Sequence, residues 1–448
     1  MEIATLIAAT TQRQIGYVIA AIVLIAMATY WLFNWLEGRK EAGAELELAA
    51  NRKPHMSDEE METKRLDLSL TSGLVTLTII AIALPLYWLG EPGRQEGLVE
   101  FTDGQFVAQG EELYAENCAQ CHGSADGPGG AAAGFSLVDG NGVYVQQVDW
   151  RAPSLGAVLD RFSYDEVKYI LNYGRTNSPM PAWGAPGGGP MTEQQLDKII
   201  AFLAHEQKPS EDIAKEVLEG LPLAALNKAR ADNLELWEQQ VRLEDQLAHV
   251  QDDRSEAEAN GASTTVFDQQ IDAILEEHAP IVEQLDALAD EILAASETDD
   301  VVLGELLFNN PAAAGAYGCA RCHSAGWSYD ANNYPDNPLL GPIDNGGGGF
   351  GPSLVGVVDQ FETAESMVGF IVTGTKEGVS YGAYGQGEGG GQMPGFGACW
   401  AEDNPLDFPR IEGDRIAGHC DGRTGILTEA QISAIVGYER SLGEGADQ

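Results

Sequence analysis

Two copies of the pentapeptide Cys-x-x-Cys-His are the residues of this chain best suited to chemistry. This spacing is that of a c-type haem attachment site, where two thiols form thioethers to the porphyrin and the histidine binds its iron. A structural zinc site or a redox dithiol also uses paired cysteines. A zinc site, however, needs two pairs close enough to complete one tetrahedron, and these pairs lie far apart in the sequence. The sequence therefore predicts two covalent haem c groups, at Cys118, Cys121 and His122 and at Cys319, Cys322 and His323.

The segments that follow the two pentapeptides share one order of motifs. Each has a Pro-Ser-Leu triplet, an amphipathic stretch, a Gly/Thr turn, a Met-Pro pair and a Thr-Glu-x-Gln helix start. In the first copy these lie at 153–155, 164–173, 174–176, 180–181 and 192–195, and in the second at 352–354, 364–372, 373–375, 393–394 and 428–431. This repeated order indicates an internal duplication. We call residues 104–207 the first repeat and residues 302–444 the second.

Each repeat resembles class I cytochrome c, whose domains run helix, Cys-x-x-Cys-His, proline loop, middle helix, methionine loop and final helix. The resemblance implies that His122 and His323 are the proximal iron ligands. It also implies that the loop prolines, Pro153 and Pro352, accept a hydrogen bond from these imidazoles through their backbone carbonyls. A bond of this kind fixes the tautomer and orientation of a metal-binding histidine.

The same resemblance makes Met180 and Met393 the distal iron ligands. Methionine is often only core filler, but each of these two precedes a proline in a Gly/Pro-rich loop instead of lying on an apolar helix face. The rival ligands are Met191, directly before a helix start, and Met367, within the middle helix.

Helix signals bound each repeat. Thr192 with Gln195 and Thr428 with Gln431 form capping boxes, and apolar residues then recur at helical spacing. Segments 110–114 and 304–308 are the predicted opening helices. In the class I family the first and last helices cross beside the haem.

Two apolar runs, Ile15 to Leu36 and about Leu68 to Leu89, are long enough to span a bilayer. The loop between them is basic, so the positive-inside rule predicts that it is cytoplasmic and that both repeats lie outside. The alternative is that the first run is a cleaved signal peptide. Its removal would leave both pentapeptides inside the cell, whereas c-type haem attachment in this family occurs on the outer side.

The remaining cysteines, Cys399 and Cys420, lie between Met393 and the final helix. In an exported domain such a pair predicts a disulfide. A free pair, or a metal site with His419, is the alternative.

The stretch between the repeats is charged and typical of helices. Its apolar seams and the turn signal Asn260-Gly261 predict an antiparallel helical hairpin, with Pro280 expected to kink or interrupt the second arm. This insert serves either to dock a partner subunit or as a spacer.

Together these patterns predict a mainly α chain: an N-terminal transmembrane hairpin and two class I cytochrome c domains separated by the helical insert. The predicted segments are a short outer N-terminus 1–14, membrane helices 15–36 and 68–90 around a cytoplasmic loop 37–67, cytochrome domains 91–207 and 301–448, and the insert 208–300.

The chain carries 69 acidic and 25 basic residues, a net charge of −44. This balance argues against nucleic-acid binding, which needs a basic surface. It fits either adaptation to salt or steering of a basic redox partner.

The resemblance implies a membrane-anchored dihaem cytochrome that passes single electrons in a respiratory chain. The nearest likeness is to the cytochrome c subunit that links a bc-type quinol reductase, with its cytochrome b and Rieske subunits, to a haem–copper oxidase. The alternatives are the dihaem subunit of a cbb-type oxidase, a dihaem peroxidase, the electron-accepting subunit of a dehydrogenase, and a purely structural anchor. Two His/Met irons leave no open position for substrate, so no catalysis is expected from this chain alone.

Overall fold

The structure is a computed structural model, and the chain in it divides into two compact units, 1–105 and 106–448. The residues that it describes are mainly helical. They are 18, 21–22, 25–33, 35–36, 57, 59–130, 132–138, 143–175, 178–328, 346–348, 351–375, 380–381, 385–386, 393–397, 399–400, 416–417 and 425–443.

The first unit contains an exposed apolar helix. A π-helical turn, Glu60–Arg65, runs into α1, Leu66–Asn117. Within the described residues, Glu60–Trp88 is the one segment long and apolar enough to cross a membrane, with a mean hydropathy of 1.9, and it contains most of the predicted second run. The described residues of the predicted first run are helical and exposed. The predicted opening helix at 110–114 is helical, and it is the last part of α1, which continues without a break to Asn117.

The rest of the first repeat is built from short elements. After the first pentapeptide comes an antiparallel hairpin that the helix and turn signals did not predict. The elements are α2 Ala119–His122, β1 Ala132–Val138, β2 Tyr144–Arg151, α3 Val158–Arg161, α4 Tyr164–Tyr173, a 3₁₀ turn Ala185–Gly187 and α5 Glu193–His205. Capping boxes at Ser163 and Thr192 begin α4 and α5.

Four helices lie between the repeats: α6 Ser210–Glu219, α7 Leu221–Asp232, α8 Leu234–Ala259 and α9 Thr265–Ser296. The described elements of the second repeat follow. They are α10 Asp300–Phe308, α11 Ala312–Gly315, α12 Ala320–His323, α13 Val357–Gln360, α14 Ala364–Thr373, β3 Ser380–Tyr381, β4 Gly385–Gln386, β5 Cys399–Trp400, β6 Ile416–Ala417 and α15 Glu429–Ser441.

The same helix crossing occurs in both repeats. At Gly110 an added Cβ would lie 2.0 Å from the carbonyl oxygen of Lys198, and at Gly304 it would lie 2.0 Å from that of Ala434. Beside each glycine an aromatic pair packs at 5.3 Å between ring centroids, Tyr114 with Phe202 in one repeat and Phe308 with Tyr438 in the other. The first and last helices of each repeat therefore approach backbone to backbone, which only glycine permits.

Gly304→Ala is expected to destabilise the second repeat strongly. Its Cβ would overlap the Ala434 carbonyl, and overpacking against backbone with no room to shift costs on the order of 3 kcal/mol. Thermal unfolding of the full-length protein, followed by circular dichroism, measures the change. The matched control is Gly437→Ala on α15, whose Cβ would meet only Val301 Cγ2 at 3.9 Å and which should gain about 1 kcal/mol of helix propensity. Equal melting temperatures for the two variants would contradict the close crossing.

The α8 and α9 helices run antiparallel on either side of the Asn260–Gly261 turn. Arg254 pairs with Asp268 near the turn, and His278 Nε2 lies 3.2 Å from Glu244 farther along. Helix α9 is continuous through Pro280, so the proline does not interrupt it, and a kink, the other predicted outcome, stays a prediction. Packing against α7 and α8 offsets the loss of one helix hydrogen bond at a proline, about 3 kcal/mol.

The first two insert helices belong to the core of the second repeat. Ile213, Val217 and Ala225 are fully buried in one apolar cluster with the residues of α10, α14 and α15. The Asn310 amide donates to the carbonyl oxygen of Val217 over 2.8 Å, and the Tyr317 hydroxyl donates to the Glu216 carboxylate over 2.7 Å. Residues 210–232 are therefore structural parts of the second repeat and more than a spacer between the repeats.

The predicted disulfide lies outside the described residues. Cys420 is not described, and only the backbone of Cys399 is, in β5.

Candidate functional site

A large apolar cavity opens beside the first pentapeptide. It contains about 1370 Å³ of atom-free space, a figure that includes the open solvent at its mouth. Cys118, Cys121 and His122 line one side, and Met180 and Trp183 line the loop side. The cavity has the size and apolar character that a large planar cofactor requires.

A second cavity of about 1370 Å³ lies beside the second pentapeptide. Cys319, Cys322 and His323 line it, together with Met367 and Met393. Each pentapeptide thus faces a cavity of its own, as a duplicated site requires.

Both histidines are held by the proline loops. The ring N–H at Nδ1 of His122 donates to the carbonyl oxygen of Pro153 over 2.8 Å, and His323 donates to Pro352 over the same distance. Burial lowers the pKa of both imidazoles, with the bond to the proline carbonyl acting in the opposite direction. Each ring is therefore neutral at neutral pH, with Nε2 left to bind a metal.

In both repeats the backbone at the methionine packs closely against the glycine that ends the middle helix. Gly174 and Gly374, which end the middle helices, have φ values of 71° and 69°. A Cβ there would lie 2.6 Å from the Met180 carbonyl oxygen and 2.5 Å from that of Met393. In the second repeat Met393 is also tied to Thr375, whose backbone N–H donates to the Met393 carbonyl over 3.0 Å. These backbone contacts place both methionines at the cavity walls.

The rival methionines differ from each other. Met191 is buried in the core of the first repeat, accepting and donating backbone bonds beside Trp183, and does not line the first cavity. Met367 does line the second cavity, from helix α14. Its counterpart in the first repeat is Val167, which cannot bind a metal, whereas Met180 and Met393 correspond to each other. The duplication therefore favours Met393 over Met367 as the ligand.

The cysteine thiols are enclosed rather than activated. Burial raises the pKa of Cys118 to about 12 and raises that of Cys319, and it also raises the pKa of Cys322 although Arg175, Arg321 and Arg161 act in the opposite direction. Redox dithiols and zinc thiolates are found where neighbouring charge lowers the thiol pKa. These environments suit thiols that react with a group held inside an apolar cavity.

Three arginines that the sequence motifs did not single out border the first cavity: Arg161, Arg175 and Arg321. Burial lowers the pKa of Arg161 and of Arg321 to about 10, and it lowers that of Arg175. Arg175 lowers the pKa of both other arginines, and Arg161 lowers that of Arg321, so the cluster concentrates positive charge. Guanidinium groups bind carboxylates in a planar, bidentate manner. These guanidinium groups would neutralise the anionic edge of a bound cofactor.

The two cavities share one wall. Arg175, Cys322, Pro394 and Phe396 line both. Hydrogen bonds also join the repeats: Arg161 donates to the Ala316 carbonyl over 2.8 Å, the Ser154 N–H donates to the Ala313 carbonyl over 3.0 Å, and the Arg151 N–H donates to the Ser328 carbonyl over 3.0 Å. One attachment cysteine of the second motif thus also forms part of the first cavity.

Comparison with known proteins agrees with this geometry for the first repeat. Residues 105–203 match the family described as "Cytochrome C oxidase, cbb3-type, subunit III". No curated protein and no solved structure matches the chain.

Proposed function

We infer that the first repeat is a c-type cytochrome domain with covalently bound haem c and a role in electron transfer, which the family match over residues 105–203 supports. We propose that the whole chain is a membrane-anchored dihaem cytochrome that passes single electrons to a respiratory terminal oxidase. The observation that carries the proposal is the pair of adjoining apolar cavities, each bordered by a Cys-x-x-Cys-His motif and a loop methionine.

The residues present fit a haem in each cavity. A bound haem supplies an iron that alternates between ferric and ferrous. Two thiols would hold it covalently, and the neutral imidazole and the methionine thioether would be ligands of its iron. Pro153 and Pro352 hold the imidazoles in orientation through their carbonyls. Arg161, Arg175 and Arg321 stand where propionate carboxylates would be neutralised.

Electron transfer is favoured over catalysis by the ligands available. With histidine and methionine on each iron, no position remains for peroxide or another substrate. Methionine ligation and an apolar pocket favour the reduced state, which suits the oxidising end of a respiratory chain. The common wall at Cys322 and Phe396 supports electron exchange between the two haems within the chain.

The membrane arrangement proposed is a hairpin of helices 15–36 and 68–90 with the basic loop in the cytoplasm and both repeats outside. The exposed apolar segment Glu60–Trp88 supports the second of these helices.

Two respiratory assemblies compete as the setting. In the first, the chain links a quinol reductase with cytochrome b and Rieske subunits to a haem–copper oxidase. In the second, it is the dihaem subunit of a cbb-type oxidase, which the family match over residues 105–203 favours. The four insert helices and the long second repeat depart from the compact dihaem pair of that oxidase. Delivery of electrons to a haem–copper centre is common to both.

Purification of the native complex in mild detergent tests the setting. If subunits with cytochrome b and Rieske sequences accompany the chain, the first assembly is supported. If a haem–copper catalytic subunit accompanies it without them, the second is supported. A chain isolated with neither, from membranes that still respire, would contradict the proposed role.

A further inference from the structure

The two repeats differ in polarity at a buried position that lines the cavities. Glu439 on α15 is 3% exposed and lines the second cavity, and Leu203 on α5 is 2% exposed and lines the first. Both residues stand at the same distance from their helix-capping threonines, Thr192 and Thr428, and the buried residues before them follow the same spacing. At this position the second repeat therefore has a carboxylic acid, and the first repeat has an apolar leucine.

The buried surroundings of Glu439 favour the protonated form of its carboxyl group. Burial is the cause that raises its pKa to about 8. The charged groups on the described elements that pack against α15 do not contribute to this shift. Glu305 on α10 is paired with Lys228, and Arg440 on α15 itself donates to the Phe361 carbonyl. The remaining charged groups on those elements are Asp300, Asp359, Glu365 and Glu429.

The titratable group that Glu439 does influence is Cys319, whose pKa is raised first by burial and then by this carboxylate. Cys319 is a haem attachment residue in the proposed function, so its thiol would be consumed. The carboxyl group would then face the bound haem within a cavity of low polarity. Charges interact strongly in such surroundings, because little water screens them.

We propose that Glu439 is a proton-binding site coupled to the second haem: its carboxylate takes up a proton from solvent when that haem gains an electron, and releases it when the electron leaves. The inference rests on the proposed function, since it requires haem in the second cavity. Reduction removes one positive charge from the iron site, so the carboxylate holds its proton more tightly in the reduced state than in the oxidised state. The first cavity has Leu203 at this position, and among its described lining residues there is no carboxylic acid.

The sign of the expected pH dependence follows. Between the carboxyl pKa of the oxidised state and the higher one of the reduced state, rising pH removes the proton that favours reduction. The midpoint potential of the second haem therefore falls with pH in that window and is flat outside it. One proton per electron sets an upper limit of about 59 mV per pH unit. The haem propionates also titrate, so the diagnostic quantity is the part of the slope that disappears with the carboxyl group.

Potentiometric titration of the full-length dihaem protein in detergent, at several pH values on both sides of 8, tests this. In the unaltered protein one of the two midpoint potentials should fall with pH. Glu439→Gln, which keeps the size and polarity of the side chain, and Glu439→Leu, which copies the first repeat, should both remove most of that slope. The mirror variant Leu203→Glu should confer a slope on the other haem.

The outcomes separate this inference from the proposed function. If fewer than two covalent haems are found per chain, the proposed function fails. If two haems are present and both potentials are independent of pH, or if the slope persists in Glu439→Gln, the coupling is refuted and the electron-transfer role stands. Unchanged low-spin spectra of the Glu439→Gln protein would exclude a change of iron ligation as the source of the shift.

Discussion

A chain in which Cys319 and Cys322 are both serine is expected to carry one covalent haem instead of two. These thiols line the second cavity beside His323, and serine cannot form a thioether to the porphyrin. The number of haems that remain bound after denaturation, measured as haem per chain, reports the change. Because a bound porphyrin would fill the second cavity, the melting temperature of this repeat should fall as well.

The duplication provides the matched control. Replacing Cys118 and Cys121 by serine should also leave one haem, but the one that remains should have the spectrum and midpoint potential of the second site. Retention of two covalent haems by either double variant would contradict the assignment of that pentapeptide. Identical remaining potentials in both variants would contradict the presence of two distinct sites.

Replacing Met393 by alanine is expected to open the second iron to external ligands and to lower its potential. Thioether ligation favours ferrous iron, and axial ligands move haem potentials across about 0.8 V, so a fall on the order of 0.2 V is expected. Binding of carbon monoxide by the reduced protein, followed optically, measures the open position. The unaltered protein should bind little carbon monoxide. Met180→Ala should have the same effect on the first iron.

The controls are the two rival methionines. Met367→Ala removes a side chain that also lines the second cavity but comes from a helix, and Met191→Ala removes one from the core of the first repeat. Both should cost stability through the space left behind, about 2–5 kcal/mol for a buried methionine, without opening an iron to carbon monoxide. Carbon monoxide binding by Met367→Ala, and none by Met393→Ala, would reverse the ligand assignment.

The parts of the site that local motifs specify could be predicted from sequence. The pentapeptides, the capping boxes at Thr192 and Thr428 and the paired Met-Pro loops act over a few residues, so their spacing alone identifies them. The helix crossings were expected only from the class I resemblance. The structure adds their cause, the close approach of Gly110 and Gly304 to the backbone of the final helices.

The parts that depend on tertiary contacts could not be predicted. Arg161 and Arg321 lie in different repeats and meet only because the repeats share a wall. Glu439 interrupts an apolar helical pattern, and aligning the repeats would have exposed it opposite Leu203. The β1–β2 hairpin left a weak signal in the alternation of Phe135 and Leu137 and of Val148 and Trp150. The continuity of α9 through Pro280 could not be predicted, because helix propensity takes no account of packing against neighbouring helices.

The burial of α6 and α7 against the second repeat changes how the chain divides into modules. A fragment that starts at Asp300, where the repeat begins by motif, would expose the apolar surface that Ile213, Val217 and Ala225 cover. A fragment that starts at Pro209 keeps that surface covered, together with the Asn310 and Tyr317 bonds. The second half is thus an enlarged folding module with its own N-terminal extension. The two halves are not interchangeable copies that recombination could exchange at the motif borders.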